Sequence, residues 1–497
     1  MDAIGNMSGS YSSTVGLFVF VITIFGLVWF LKRSKNLPPG PMSPLTILTL
    51  GEESFIKLTQ FSKDYGPIYC LRQGTSLFVV LNDITVIKAA LVEQAEVFSN
   101  RLTSPGIDII NDGTKGSILF GKGENWKEMR RFGSQAMRTF GIGKRSIGKK
   151  ISEETIPLIS EFLAQEGKAF NPNDVINNAV SNIICSISFG ERYEYDNVEF
   201  QFLLSCLQKL STSTSGLTMV NLPSLLAKFL VHIPPFKKRV DLFKSIQKFV
   251  STKVKEHSAT LDPNDIRDII DMYLLEADKQ STSDKSFHYD INRTWRFVQD
   301  LFAAGSDTTS NSLMWAIAIL CHYPEVQEKV FEEIKRVVGV DRLPTYEDKG
   351  NLPYTEAVIL EIQRFRPVVP LVGRESIRDT NLSGYFIPKG TVILMNIWAT
   401  GHDPLKWDDP YDFVPERFLS PDGGRVSHND SHIPFGIGRR VCLGESLAKM
   451  EIFIFFSSLV QRFRFKVPEG HPLPSLEGKH GIVFCIDPYL VCTEPRI

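Results

Sequence analysis

One cysteine near the end of the chain lies in a glycine-rich loop that leads straight into an apolar helix, and this loop constrains the fold most. It reads FGIGRRVCLGE over residues 435–445. Glycine permits backbone conformations that bring amide groups close to the sulfur of Cys442. Arg440 adds positive charge, and the helix predicted over 446–463 directs its free N–H groups towards the same place. These features favour a thiolate, which acts in proteins as a nucleophile or as a metal ligand.

The composition excludes several other classes of protein. The seven cysteines of this 497-residue chain are scattered and contain no CxxC pair, which argues against structural zinc and thioredoxin-like chemistry. Such sparse cysteines indicate a reducing, cytosol-facing location. Lys plus Arg is 55 and Asp plus Glu is 56, so the net charge is −1. A balance so close to neutral argues against nucleic-acid binding.

The amino-terminal region predicts a membrane anchor. Residues 15–31 carry no charge, and Lys32, Arg33 and Lys35 follow at once. A helix of this length spans ~26 Å, close to the ~27 Å of the endoplasmic reticulum hydrocarbon layer. A cleaved signal peptide would have a basic segment before the apolar run, and none precedes it. The positive-inside rule places the rest of the chain in the cytosol, so we expect an anchor over 1–36 in the endoplasmic reticulum membrane.

Residues 37–497 are predicted to form a single domain, mainly α-helical with a minor β region. Apolar residues recur at threes and fours from about 126 to 340, and β-branched runs occur at 77–81 and 391–394. The run from 295 to 321 contains acidic and hydroxyl residues, which indicates a long buried helix rather than a second membrane span. There are no internal repeats and no linker long enough to separate domains.

The cysteine loop resembles the haem-binding signature of the cytochrome P-450 monooxygenases, F-x-x-G-x-R-x-C-x-G. Phe435, Gly438, Arg440, Cys442 and Gly444 occupy its fixed positions. The resemblance implies haem b as the cofactor and Cys442 as the axial ligand of its iron. A thiolate in this position pushes electron density onto the metal and favours O–O cleavage. Arg440 would pair with a haem propionate.

A second motif, AGSDTT over residues 304–309, lies in the long helix. Such a run is poor helix chemistry, and on residue type alone Thr308 would bond the carbonyl of Ala304 and bend the helix mildly. The motif resembles the oxygen-activation site of the same family. That resemblance assigns Thr308 to the positioning of dioxygen and a water chain, and Asp307 to proton delivery.

Further motifs resemble the family's pattern in the family's order. Glu361 and Arg364 have the E-x-x-R spacing, whose members share a helix face. By resemblance, Arg417 completes a buried Glu–Arg–Arg cluster with a structural role. The resemblance also assigns haem-propionate contacts to residues from three other segments, namely Arg101, Trp126, Arg130 and Arg374. The family's second animal group often has His where Arg374 stands, and the segment here is one residue shorter, which weakens any transfer of substrate preference.

The resemblance, to animal microsomal members and most closely to that second animal group, also implies partners. It implies electrons from NADPH through the cytochrome P-450 reductase, cytochrome b5 as a second donor, and a lipophilic substrate. Steroids, fatty acids and foreign compounds all stay open. Residues 127–150 carry eight basic residues against only Glu128, which predicts either a solvated basic face or a docking surface for an acidic electron donor.

Three alternatives to a monooxygenase stay open from the sequence. A haem-thiolate isomerase or dehydratase of the same fold needs no reductase, but such members usually lose the acid–threonine pair that Asp307 and Thr308 provide. A membrane-anchored cysteine hydrolase built on Cys442 would need a histidine near the thiol, and His432 lies ten residues upstream. The third alternative is a non-catalytic haem or lipid binder.

Overall fold

The computed structural model describes most of the chain from residue 36 to residue 496. The described part excludes residues 42, 44–45, 47–49, 52, 74–75, 103–114, 142–144, 212–228, 230–231, 235, 282–288 and 482. The predicted anchor at 15–31 therefore lies outside the described residues. Within the described part, no helix has the length and apolar character needed to cross a membrane.

Helices make up most of the described chain. In chain order they are α1 (Ser54–Tyr65), α2 (Ile84–Lys88), α3 (Gly123–Thr139), α4 (Arg145–Leu163), α5 (Asn173–Ser188), α6 (Val198–Ser211), α7 (Phe236–Ala259), α8 (Ile269–Ser281), α9 (Thr294–His322), α10 (Pro324–Val337), α11 (Pro353–Phe365), α12 (Ile397–Gly401) and α13 (Glu445–Arg462). Short 3-10 turns cover Ile291–Arg293, Tyr346–Asn351, Pro415–Phe418 and Gly438–Arg440, and a π-helical turn covers Ala89–Glu93. The helices predicted at 295–321 and 446–463 correspond to α9 and α13.

The strands form a minor β region, as predicted. They are β1 (Ile68–Gln73), β2 (Ser76–Leu81), β3 (Leu371–Glu375), β4 (Thr380–Leu382), β5 (Tyr385–Ile387), β6 (Val392–Asn396), β7 (Phe463–Lys466), β8 (Lys479–His480), β9 (Phe484–Cys485) and β10 (Cys492–Pro495). The largest sheet has the order β1–β2–β6–β3. Strand β6 pairs in parallel with β2, Val392 opposite Phe78, and antiparallel with β3, Ile393 opposite Arg374. Arg374 lies on β3, at the edge of this sheet, and its side chain is buried.

Helix α9 forms the centre of the helical core. It packs against α5, α7, α8, α11 and α13, and its apolar residues from Leu313 to Leu320 are almost completely buried. A helix that is apolar on nearly every face must be surrounded by other elements. In the half of α9 that precedes this apolar run, Asp307 is buried and Thr308 is half-buried.

Candidate active site

The cysteine loop approaches the sheet side of the molecule through two glycines. Gly436 and Gly438 have φ angles of +73° and +76°, which L-residues with a side chain rarely adopt. An added Cβ at Gly438 would overlap the carbonyl oxygen of Leu91, so the close approach requires glycine. The Cys442 N–H donates to the carbonyl of Phe435 at 3.0 Å, and α13 begins three residues after Cys442. The loop thus presents the thiol at the amino end of α13.

The Cys442 side chain has an exposed face, while dense protein surrounds the remainder of it. Desolvation is the largest influence on its thiol and raises the pKa above the ordinary value. The Gly444 N–H lowers the pKa, as predicted for the loop amides; the charges of Arg130 and Arg101 lower it too, in place of the predicted Arg440, and Glu445 raises it. Contrary to the sequence prediction, the protein alone does not favour the thiolate. A metal cation bound at this thiol would supply the missing charge, because a coordinating thiol is deprotonated outright.

Two arginines and a tryptophan connect this loop to helix α3. The Arg130 guanidinium donates to the carbonyl of Val441 at 2.7 Å. Arg440 donates to the carbonyl of Ser99 at 2.8 Å, and its guanidinium lies 3.8 Å from the ring centroid of Trp126. Burial is the main cause that lowers the pKa of Arg440 to about 8, and the charges of Arg101 and Arg130 lower it further.

Arg101 and Arg374 complete a group of four arginines that we call the open cluster: Arg101, Arg130, Arg374 and Arg440. Both residues donate to the carbonyl of Gly373, at 3.4 Å from Arg101 and 2.9 Å from Arg374. Burial lowers the pKa of Arg101 to about 10. The pKa of Arg374 falls well below its ordinary value, first because of burial and then because of the charges of Arg101 and Arg440.

The open cluster fits a haem. Among the described residues, no carboxylate forms an ion pair with any of its four guanidinium groups, which contact backbone carbonyls instead. Buried cations without a counter-ion are costly, so this arrangement suits the binding of an anion. The two propionates of a haem are carboxylates, which guanidinium groups bind well. A thiol with an exposed face beside the cluster completes a donor set for the iron and the propionates.

On the other side of a small cavity lies the AGSDTT segment of α9. The cavity is lined by residues of α9, α11, α13, the cysteine loop and the segment before β3, among them Thr308, Thr309, Val368, Phe435, Ala448 and Ile452. The Thr308 hydroxyl donates to the carbonyl of Ala304 at 2.8 Å, as expected from the sequence. Asp307 is 6% exposed, and burial raises the pKa of its carboxyl to about 6.

Glu361, Arg364 and Arg417 lie together, and we call this group the compensated cluster. Glu361 accepts from Arg364 Nε at 2.6 Å and from Arg417 Nε at 3.1 Å. Arg364 also donates to the carbonyls of Gly401 and Asp412, at 2.7 and 2.9 Å. The side chains of Glu361 and Arg364 are fully buried. The cluster therefore joins α11 to the loop-rich stretch that precedes the cysteine.

The structure also bears on the hydrolase alternative. Within the described part of the chain, no histidine hydrogen-bonds to Cys442. The ring of His432 packs against Phe418 with centroids 5.0 Å apart. Burial, followed by the charge of Arg364, lowers the pKa of His432 to about 3. An imidazole of such low basicity is a poor general base for the thiol.

Sequence reasoning missed two polar partners of this site. The hydroxyl of Ser211, at the end of α6, donates to Asp307 Oδ2 across 96 positions of sequence. The second is Glu451 of α13, a buried acid near Thr309 of α9, whose pKa burial raises well above its ordinary value. The single acid in the otherwise apolar run at 450–456 was a signal for Glu451. Nothing in the sequence distinguishes Ser211 from other helical serines.

The basic stretch at 127–150 is partly neutralised. Lys127 pairs with Glu124 at 3.0 Å, Arg131 with Glu128 at 2.6 Å and Lys149 with Glu153 at 3.6 Å. Arg130 points to the cysteine loop instead of the surface. Arg138 and Lys150 are exposed, whereas Lys144 lies outside the described residues. The positive surface is therefore weaker than the sequence count suggests.

Comparison with known proteins gives a consistent result. The family model described as Cytochrome P450 matches residues 38–493. The chain is similar to cytochrome P450 2U1 of Mus musculus, 38% identical with 97% of this chain and 95% of the relative covered. It is 39% identical to cytochrome P450 2J2 of Homo sapiens, with 94% and 93% covered. Cytochrome P450 2J5 of Mus musculus is 38% identical, with 97% and 96% covered.

Proposed function

The chain belongs to the cytochrome P450 family and is a haem-thiolate monooxygenase, and from this premise we propose that it oxidises a lipophilic organic substrate. The proposed reaction inserts one atom of dioxygen into a steroid, a fatty acid or a foreign compound. NADPH supplies the electrons through the cytochrome P-450 reductase. The observation that carries the proposal has two parts: Cys442 lies within electrostatic range of Arg101 and Arg130, and Thr308 lines one cavity together with Phe435 of the cysteine loop.

Each group has a proposed task. Cys442 would hold the haem iron through its thiolate, and the haem would supply the dioxygen chemistry. The open cluster holds the propionates, and Trp126 packs over Arg440 so that this guanidinium keeps its direction. Phe435 accepts the N–H of Cys442 and thereby fixes the backbone of the loop. The compensated cluster acts structurally, by holding the chain that leads into the loop.

Asp307 and Thr308 are proposed to handle protons. A carboxyl with a pKa of about 6 changes its protonation state readily near neutral pH, which suits a group that passes protons inwards. The Thr308 side chain lines the cavity next to Phe435, and its hydroxyl is anchored on Ala304. This bond leaves its oxygen free to accept a second hydrogen bond from the cavity side.

The substrate pocket is proposed from the segments that the family resemblance assigns: 102–119, 203–236, 297–304, 368–372 and the tail near 482. Residues 103–114, 212–228 and 482 of these segments lie outside the described part. Of the described residues, Phe297, Val298 and Phe302 are buried apolar side chains of α9. A pocket lined mainly by apolar groups suits a lipophilic substrate.

We place the protein in the endoplasmic reticulum membrane, with residues 1–36 as the anchor and residues 37–497 in the cytosol. The exposed basic residues Arg138, Lys149 and Lys150 support docking of an acidic reductase, with cytochrome b5 as a second donor. Charge reversal at these three residues should slow reductase-supported turnover and reduce its salt dependence. An unchanged rate and salt response would exclude this face as the dock.

The reduced, carbon-monoxide-bound absorption spectrum of the purified protein tests the core of the proposal. A Soret band at the thiolate-haem position is expected for the native chain, and Cys442→Ser should lose that band. Product formation that needs both NADPH and the reductase then separates a monooxygenase from an isomerase. A spectral binding screen over sterols, fatty acids and foreign compounds selects the substrate class. Folded protein without the thiolate-haem band would refute the proposal.

A further inference from the structure

The carboxylate of Asp307 is tied to a helix other than its own. Ser211 is the last residue of α6, and its hydroxyl donates to Asp307 Oδ2. Both side chains are buried, at 8% and 6% exposure. The nearby amide of Asn311 donates to the backbone carbonyl of Asp307, not to the carboxylate. Among the described residues, Ser211 is thus the one hydrogen-bond donor to this carboxylate.

The bond has a defined electrostatic effect. Burial disfavours the charged form of Asp307, and the Ser211 hydroxyl opposes burial by donating to the carboxylate. The titratable group that faces Asp307 from the strand side is Cys485 of β9, whose pKa burial raises to about 12, so it stays neutral near pH 7. No cation pairs with Asp307 in the described part of the chain. The balance between charged and neutral Asp307 therefore depends on whether α6 keeps its hydroxyl in place.

We propose that Ser211 is a positioning residue for Asp307, which couples the position of the carboxyl end of α6 to proton handling at the active site. The inference rests on the proposed function of Asp307. Helix α6 packs against α7 and α9, and its residues 203–211 belong to the segment 203–236 proposed to line the substrate pocket. A substrate that displaces the end of α6 would lengthen the Ser211–Asp307 bond. Asp307 would then become a readier proton carrier near neutral pH.

The proposal predicts a measurable shift in the titration of Asp307. Removing a hydrogen bond to a charged group disfavours that charge, so Ser211→Ala should raise the pKa of Asp307 by about one unit. Ser211→Thr keeps a hydroxyl and should restore most of the native value. Ser205 is a matched control on the same helix, because its hydroxyl donates to the carbonyl of Phe202 at 2.8 Å and is exposed. Ser205→Ala should leave Asp307 unchanged.

The experiment is an infrared pH titration of the resting haem-loaded protein, with Asp307→Asn subtracted to isolate the Asp307 carboxyl band. This readout needs no turnover. A raised pKa in Ser211→Ala alone, restored by Ser211→Thr, supports the proposal. A native-like titration in Ser211→Ala overturns it, provided the variant keeps its carbon-monoxide spectrum. If Ser211→Ala does not fold, Ser211→Thr and Ser211→Cys provide the comparison. The thiol is the weaker hydrogen-bond donor, so the pKa of Asp307 should be higher in Ser211→Cys than in Ser211→Thr, and equal values overturn the proposal.

Turnover then separates this inference from the function on which it rests. The fraction of NADPH electrons recovered in product, rather than in hydrogen peroxide, should fall severalfold in Ser211→Ala, and the double variant with Asp307→Asn should match Asp307→Asn alone. If Ser211→Ala lowers this fraction by the same factor in the Asp307→Asn background as in the native protein, the role of Ser211 is overturned. If Asp307→Asn itself leaves this fraction and the solvent isotope effect unchanged, the proposed function of Asp307 fails, while the infrared result still decides whether Ser211 controls its charge.

Discussion

Two groups of buried and half-buried arginines in this molecule differ in how their charges are compensated. In the compensated cluster, Arg364 and Arg417 share the carboxylate of Glu361 and donate their remaining protons to carbonyls. In the open cluster, the guanidinium groups reach carbonyls but, within the described residues, no carboxylate. The first cluster is complete when the chain folds. The second is complete only when an anionic ligand arrives.

The difference has a consequence for stability. Like charges in the open cluster repel, which is why Arg101 and Arg440 each lower the pKa of Arg374. In the absence of haem this repulsion lowers the stability of the folded state, and haem binding should relieve it. Binding to the native state alone raises its stability by mass action, so the stability of this domain depends on haem supply. The compensated cluster should contribute equally with and without haem.

The largest effect is expected at the compensated cluster. Glu361→Ala leaves two buried guanidinium groups without a counter-ion, and breaking a buried pair costs about 3–5 kcal/mol. We expect this loss in the free energy of unfolding, measured by urea titration, together with a failure to incorporate haem. The control is Glu416→Gln. The exposed carboxylate of Glu416 pairs with Lys329 at 2.9 Å, and its loss should lower the free energy of unfolding by about 0–1 kcal/mol. Equal stability of the two variants would contradict a buried structural role.

At the open cluster, the sign of the effect should depend on haem. Arg374→Met removes one of several like charges, so the haem-free protein should be unchanged or slightly more stable. Loss of a propionate partner should accelerate haem release by about 10–100-fold, the range seen for outer-shell partners of metal sites. Haem transfer to an acceptor globin measures that rate, and exposed Arg378→Met is the control. If Arg374→Met destabilises the haem-free protein as strongly as Glu361→Ala, the two clusters do not differ as described.

The comparison also shows how far the sequence could go. The spacing of Glu361 and Arg364 predicts that they share a helix face, and family resemblance brings Arg417 to them. Resemblance likewise assigns Arg101, Arg130, Arg374 and Arg440 to one ligand. What the sequence could not provide is the set of backbone carbonyls that these groups contact, because carbonyl positions follow from loop geometry. The Ser211–Asp307 bond could not be predicted either, because it depends on where α6 ends relative to α9.

A further buried group, the pair of His257 and Asp268, is intermediate between the two clusters, because pH determines whether His257 carries the charge that Asp268 compensates. The His257 ring faces two acceptors, Asp268 Oδ2 at 2.6 Å and the carbonyl of Lys253 at 2.8 Å, so both bonds form only when both nitrogens carry protons. Although burial lowers the pKa of His257, the bond to Asp268 and its charge raise it overall. Charged neighbours are Lys253 and Glu256 of α7, Glu191 after α5, Arg267 before α8 and Asp271 in its first turn.

The raised pKa fixes the direction of the pH effect. The contribution of the pair is fully present below the unfolded-state pKa of about 6.5 and disappears as pH rises through the higher folded-state pKa. Urea titrations over this range should therefore show a fall in stability with rising pH that His257→Gln removes. His471→Gln, at an exposed site, should keep the native slope. A slope that survives in His257→Gln would place the titrating group elsewhere.

The smallest effect is expected at Arg439, the neighbour of Arg440 in the cysteine loop. Its side chain is 45% exposed and pairs at 3.0 Å with Glu96, itself 68% exposed, so water already solvates both charges. Arg439→Met should cost about 0–1 kcal/mol of unfolding free energy and leave the rate of haem release unchanged. Adjacent arginines thus test whether burial, rather than position in the motif, determines the effect. Salt screens the positive field at the surface. If Arg439→Met releases haem as fast as Arg374→Met at low salt but not at high salt, that surface field, and not the buried cluster, retains the haem.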